Sequence, residues 1–151
     1  MLFRSPEFCR HIGAQPFVSE QQAAAFVDGM ITDNNNRKRL YFLIHHNADQ
    51  KVIGTVGFIF TWGERNRTAE IGYGVSRDYW GKGVFKAAID ELMTWTSVRR
   101  IAKLIALTAE RNTNSCRALE KYGFTKDGRI DNFYAQADAC LIYGYDVPRG
   151  H

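Results

Sequence analysis

The sequence predicts a mixed α/β fold in a single domain, and three observations carry that reading. At 151 residues, 45% of them hydrophobic and 24% charged, the chain has a common single-domain size and an ordinary globular composition. Three strand-like segments fall between residues 40 and 76, separated by turn-forming residues. After Gly83 the apolar spacing changes to the period of a helix, and a strand, a short helix and two more strands follow. Such interleaving of the two periods is the pattern of a mixed α/β domain.

Each element has its own local reason. Ser19-Glu20-Gln21-Gln22 opens a stretch in which Ala23, Phe26, Val27, Met30 and Ile31 recur at steps of three and four. A capped amphipathic helix is therefore predicted to about Thr32, ended by Asp33-Asn34-Asn35-Asn36. Residues 40–45 read as a strand, 47–50 as a hairpin connection and 52–61 as the antiparallel partner. A turn at 63–67 leads into residues 68–76, which alternate cleanly and complete a meander. Val84, Ala88, Leu92 and Trp95 then share a helical face with Phe85, Ile89 and Met93 beside it, giving a helix to about Ser97 that packs on the sheet. Residues 101–109 form a buried strand around Leu104-Ile105-Ala106-Leu107. Asn112 or Asn114 caps a short helix, and Gly123 ends it in the left-handed conformation. Residues 125–134 and 139–147 make a C-terminal hairpin, and 148–151 a tail.

Several function classes are set aside on composition. The longest apolar runs, 40–44 and 56–60, are far short of the roughly 20 residues that span a bilayer, so no membrane segment is expected. The first residues turn polar at once and lack a secretory apolar core, which points to a cytoplasmic protein. Cys9, Cys116 and Cys140 are odd in number and widely spaced, so all three are expected as free thiols. His45 and His46 point to opposite faces of a strand and do not chelate one metal, so no metal is expected. The net charge of +4 is a mild excess that favours an anionic ligand. The densest basic run, Arg37-Lys38-Arg39, has no interleaved aromatics, so nucleic acid is not an expected partner.

The chemistry concentrates between residues 70 and 84. On that strand Ala69, Ile71, Tyr73 and Val75 share one face, while Glu70, Gly72 and Gly74 share the other. Two successive positions beside a carboxylate thus carry no side chain, which fits close approach of a ligand or a bulge at a splayed strand end. The strand runs into Trp80-Gly81-Lys82-Gly83-Val84 at the start of a helix. Free amides, the positive end of a helix dipole and a lysine gather there, and alternate glycines let the backbone curl round a phosphate. The spacing fits neither a Walker loop nor a dinucleotide fingerprint.

These residues resemble the GNAT superfamily of N-acetyltransferases, whose pyrophosphate loop has the form Gln/Arg-x-x-Gly-x-Gly/Ala. Asp78-Tyr79-Trp80-Gly81-Lys82-Gly83 fills it, with Asp at the first position. The Ala-Glu-Ile-Gly-Tyr strand before it is similar to the branch of Rim-type ribosomal-protein N-acetyltransferases. A second block, Asn112-Thr113-Asn114-Ser115 followed by Glu120-Lys121-Tyr122-Gly123-Phe124, is similar to that branch's Asn-x-x-Ser and Glu-Lys-x-Gly-Phe segments. The resemblance covers about residues 19–147. It implies a mixed, mostly antiparallel sheet flanked by helices and a reaction in which acetyl-CoA acetylates a primary amine by direct attack in a ternary complex. A non-catalytic acyl-CoA-binding module on the same fold is the other reading.

The resemblance also assigns roles. The backbone around Val75 would pair with the pantetheine arm, the amides of Trp80, Gly81, Lys82, Gly83 and Val84 would hold the pyrophosphate, and Asn112 would contact the cofactor. Glu70 would receive the amine, as a base through water or as a binder of the ammonium. Where many members carry a tyrosine as general acid this chain has Leu119, and Ser115 is the candidate donor to the sulfur. Cys116, with no histidine in the surrounding motif to activate it, reads as structural. Loops near residues 33–39, 62–67 and 131–138 would line the acceptor pocket, with Arg65, Arg67, Asp131, Asp138, Phe133 and Tyr134 available. Only five residues precede the segment Pro6 to Gly13, so the family's usual first strand is expected to be missing. That would leave the strand at residue 40 with an open edge, covered by a homodimer partner or another device.

Overall fold

In the computed structural model of the chain, residues 16–60 and 66–148 are described. The Ser19 hydroxyl accepts the Gln22 amide at 3.2 Å, satisfying one donor that a helix start leaves open. Helix α1 runs Glu20–Asn35, three residues beyond its expected end at Thr32. The extra turn is held from outside: Asn34 Oδ1 accepts the Tyr41 amide at 3.1 Å, and Asp33 pairs with Arg39 at 3.3 Å. The expected amphipathic burial is only partly realised. Ala23 is buried, Met30 is half-buried, and Phe26, Val27 and Ile31 are exposed.

Strands β1 (Arg39–His46), β2 (Lys51–Ile59) and β3 (Thr68–Val75) form the expected antiparallel meander. A short 3-10 turn, Arg77–Tyr79, leads to helix α2 (Val84–Val98), strand β4 (Lys103–Ala109) and helix α3 (Thr113–Tyr122). Strands β5 (Thr125–Tyr134) and β6 (Asp138–Asp146) close the order. The six strands lie β1-β2-β3-β4-β6-β5. Only the β3–β4 pair is parallel, as a strand–helix–strand crossover requires; the other four pairs are antiparallel. The last hairpin thus folds back so that β6, not β5, lies beside β4.

The core joins Phe58, Ala69, Ile71, Leu104, Ala106 and Tyr143 of the sheet to Ile89 and Leu92 of α2 and Leu119 of α3. The buried line of α2 is Ile89, Leu92 and Thr96, one position round from the predicted face. Thr96 is tolerated there because its hydroxyl donates to the Met93 carbonyl at 2.7 Å. Gly123 ends α3 at φ 115°, and its amide and that of Phe124 return to the last carbonyls of the helix.

Two features of the sheet prepare the site. Pairing of β3 with β4 stops at Glu70–Ile105, while β4 stays paired with β6 as far as Ala109–Cys140. Beyond Glu70 the two parallel strands therefore part. At the opposite edge, β1 pairs only with β2 among the described residues. The expected loss of a first strand before Pro6 lies outside the described residues, as do Cys9, Arg65 and the last three positions. Among the described residues no helix is long and apolar enough to cross a membrane.

Candidate active site

The gap between the parting strands, with Glu70, Gly72, Gly74 and Val75 on one side and Leu107 and Thr108 on the other, belongs to a cleft of about 1340 Å³ that extends to residues of α1, α2, α3 and β5. The Ser76 amide donates to the Ile53 carbonyl at 2.7 Å, so alternation directs the backbone groups of Gly72 and Gly74 to β2 as well. Those of Tyr73 and Val75 therefore turn toward the gap. The Trp80 indole donates to the Val75 carbonyl at 2.8 Å. This bond pins the corner to the strand end and takes up one of the groups that the missing β4 pairing leaves there.

At the head of the cleft Gly81 and Gly83 sit at φ 70° and 78°. A Cβ on either would meet nothing within 4 Å, so these glycines answer to backbone conformation and an open approach rather than to packing. Gly83 is the N-cap of α2 and supplies no side chain, which leaves the first amides of that helix facing outward. One expected donor differs. The Trp80 amide donates to the Arg77 carbonyl at 3.0 Å inside the 3-10 turn, so of the five expected amides it is already engaged within the chain. The Lys82 ammonium lies 5.4 Å from the centre of the Tyr79 ring, as does that of Lys51, and the Tyr79 hydroxyl donates to Asp49.

Asn112, not Asn114, caps α3: its Oδ1 accepts the Ser115 amide at 3.2 Å. Both Asn112 and Ser115 line the cleft. The Ser115 hydroxyl is hydrogen-bonded to the Tyr73 hydroxyl, and the Tyr73 ring packs edge-on against Phe85 at 4.7 Å. Burial pushes the Tyr73 hydroxyl far above the ordinary tyrosine range, so it stays protonated. Tyr73 escaped the sequence reading because its alternation placed it on the core face. The available signal was that this face meets the first turn of a serine-bearing helix where the sheet parts. Leu119, where the resemblance led to the expectation of a general-acid tyrosine, is fully buried in the core.

Glu70 is half-buried at the other end of the gap. Burial raises its carboxyl above the usual glutamate value, and the Arg39 guanidinium pulls it partly back. Burial raises the hydroxyls of Tyr41 and Tyr134, which line the same end, and the Glu70 charge adds a smaller push in the same direction. Arg39 and Tyr41 are site residues that the strand pattern did not single out. Of the loop residues expected near the acceptor, Phe133 and Tyr134 reach the cleft. Arg67 instead donates to the Arg100 carbonyl, Asp131 pairs with Arg129, and Asp138 with Arg111. Cys116 and Cys140 are free, and burial raises both thiols, so neither is an activated nucleophile. Among the described residues no group of three or more His, Cys, Asp or Glu could hold a metal ion.

Comparison with known proteins agrees with this geometry. Residues 1–125 match the acetyltransferase (GNAT) domain family. An uncharacterised N-acetyltransferase of Bacillus licheniformis, p20, is 32% identical over 144 residues, covering 93% of this chain and 78% of the relative. Among solved structures, an acetyltransferase from Salmonella typhimurium that modifies the N-terminal serine of a 50S ribosomal subunit protein superposes with a TM-score of 0.83 at 17% identity, covering 94% of this chain and 82% of that one. A spermidine N-acetyltransferase from Vibrio cholerae, solved with CoA and spermine, gives 0.81 at 17%, covering 97% and 86%. The parted parallel strands, the glycine corner at the head of α2 and the match over most of its length together establish that the chain belongs to the GNAT acetyltransferase family.

Proposed function

We propose that this N-acetyltransferase holds acetyl-CoA along the open edge of β3 and passes the acetyl group to a primary amine, either a protein N-terminus or a small-molecule amine. The observation that carries the reading is the end of β3–β4 pairing at Glu70, which turns backbone groups of Tyr73 and Val75 into a cleft. An unmade buried backbone hydrogen bond costs about 1–3 kcal/mol. The amides of a pantetheine arm laid beside Val75 supply the missing partners, as an added strand does. The amides of Gly81, Lys82, Gly83 and Val84 hold the pyrophosphate at the positive end of α2, with the Lys82 charge nearby. Asn112 positions the first turn of α3.

In the ternary complex the amine nitrogen attacks the thioester carbonyl and the carbon–sulfur bond breaks. Glu70 takes up the amine's surplus proton, directly or through water; its raised basicity suits that task better than an exposed carboxylate would. The departing sulfur receives a hydrogen bond from Ser115. The same reading places the reaction in the cytoplasm, within one domain formed by the whole chain, and pairs two copies through the open edge of β1.

The test measures release of free CoA thiol from acetyl-CoA with N-terminal peptides, polyamines and amino acids, alongside calorimetry of CoA binding. Turnover with one acceptor class supports the proposal. CoA binding without turnover across the panel would favour the non-catalytic module, and absence of CoA binding removes both.

A further inference from the structure

Arg111 stands in the corner between β4 and α3, outside the cleft lining, and its side chain crosses to the turn between β5 and β6. Its guanidinium donates to the Asp138 carboxylate through Nε, to Gln136 Oε1 at 3.1 Å through Nη1 and to the Ala135 carbonyl at 3.3 Å through Nη2. That turn does not hold itself by local preference. Gln136 and Ala137 lie in succession at φ 63° and 58°, a conformation that non-glycine residues adopt only when surroundings impose it. Register between β5 and β6 is also interrupted between Ile130 and Tyr134, and beyond that break the Tyr134–Asp138 pair alone joins the strand end to β6. Phe133 and Tyr134, packed edge to face at 4.9 Å, are carried by this segment and line the cleft at the Glu70 end.

We propose that Arg111 is a positioning residue for the amine acceptor, acting through the β5–β6 turn to hold the Phe133–Tyr134 wall at its distance from Glu70. The proposal rests on the reading that the amine enters at that end. The planar fork matters because three acceptors around one turn are met by nitrogens of one rigid group, which an ammonium does not reproduce. A second tie from the same corner, Glu110 to Arg129 at 3.2 and 3.0 Å, engages β5 before the register break and provides an internal control.

The experiment uses an amine that the wild-type protein acetylates, with initial rates at saturating acetyl-CoA and separate calorimetry of CoA. Arg111→Ala is expected to raise KM for the amine about tenfold, with CoA affinity within about twofold of wild type. Arg111→Lys should fall between the two and keeps the question answerable if the alanine variant fails to fold. Glu110→Ala, which cuts this second tie and keeps the Arg129–Asp131 pair, should leave KM for the amine within about twofold. An unchanged KM in both Arg111 variants, an equal loss of CoA affinity, or the same KM rise in Glu110→Ala would each overturn the proposal. Failure of the wild-type protein to acetylate any amine would instead count against the enzymatic reading itself.

Discussion

Glu70 occupies its half-buried place at a thermodynamic cost that can be measured. Its folded value is raised above the ordinary 4.5, chiefly by burial, with Arg39 opposing. A raised carboxyl binds its proton more tightly in the folded than in the unfolded chain. The associated stability is complete below the ordinary glutamate value and is lost as pH rises through the folded one, so ionised Glu70 weakens the fold at neutral pH. Glu70→Gln is therefore expected to melt at a higher temperature than wild type at pH 8, with the difference vanishing near pH 4. The same substitution should abolish the acid limb of kcat/KM and lower the rate at least about tenfold. Parallel pH–rate profiles and thermal melts check both effects; superimposable profiles would remove Glu70 from proton transfer. Ser115 and Tyr73 form the second pair. Because the Tyr73 hydroxyl stays protonated, it orders the Ser115 hydroxyl, so Ser115→Ala and Tyr73→Phe should each lower kcat about tenfold or more while CoA binding changes little. The double variant should lose hardly more than either single one, and additive losses would separate the two side chains.

At the scale of elements, the corner before α2 and the edge of β1 make distinct predictions. Val at position 81 or 83 would place a β-branched side chain at positive φ and over the amides that face the open corner. Gly81→Val and Gly83→Val are expected to weaken CoA binding by about 100-fold or more, read by calorimetry, with the sheet's circular dichroism retained. On β1, the Phe60 amide donates to the Lys38 carbonyl, so alternation turns the backbone of Tyr41 and Leu43 outward. The Tyr41 amide is satisfied by Asn34, and Leu43, 65% exposed, marks the part of the edge left unpaired among the described residues. Leu43→Pro deletes only an outward amide and is expected to convert a dimer paired through this edge to monomers in sedimentation. A wild-type monomer, or a dimer indifferent to the change, excludes that interface. Helix α1 illustrates the limit of element-level reading. Its capping serine and apolar spacing were legible, yet its last turn exists because Asp33 and Asn34 find partners on β1, which no local rule contains.

Over the whole molecule, one topological event creates the site. The crossover through α2 sets β4 parallel to β3, three residue pairs join them, and then β4 follows β6 while β3 follows β2. The cleft is the divergence of two strands that answer to different neighbours. Local signals in the sequence by itself determined the kinds of element, the glycine track beside Glu70 and the glycine corner before α2, because periodicity and glycine placement are properties of adjacent residues. The family resemblance then joined the two motif blocks to one reaction. Only the tertiary structure decided that β6 inserts between β4 and β5, that Tyr73 meets Ser115 from 42 residues away, that the Trp80 amide is bonded within its own turn, and that Arg111 grips a turn 24 to 27 residues downstream. The physical reason is that an apolar period states which face of an element is buried but not which element covers it. Those partnerships are settled when distant segments close on one core, where burial, chain entropy and the satisfaction of every backbone group are resolved together.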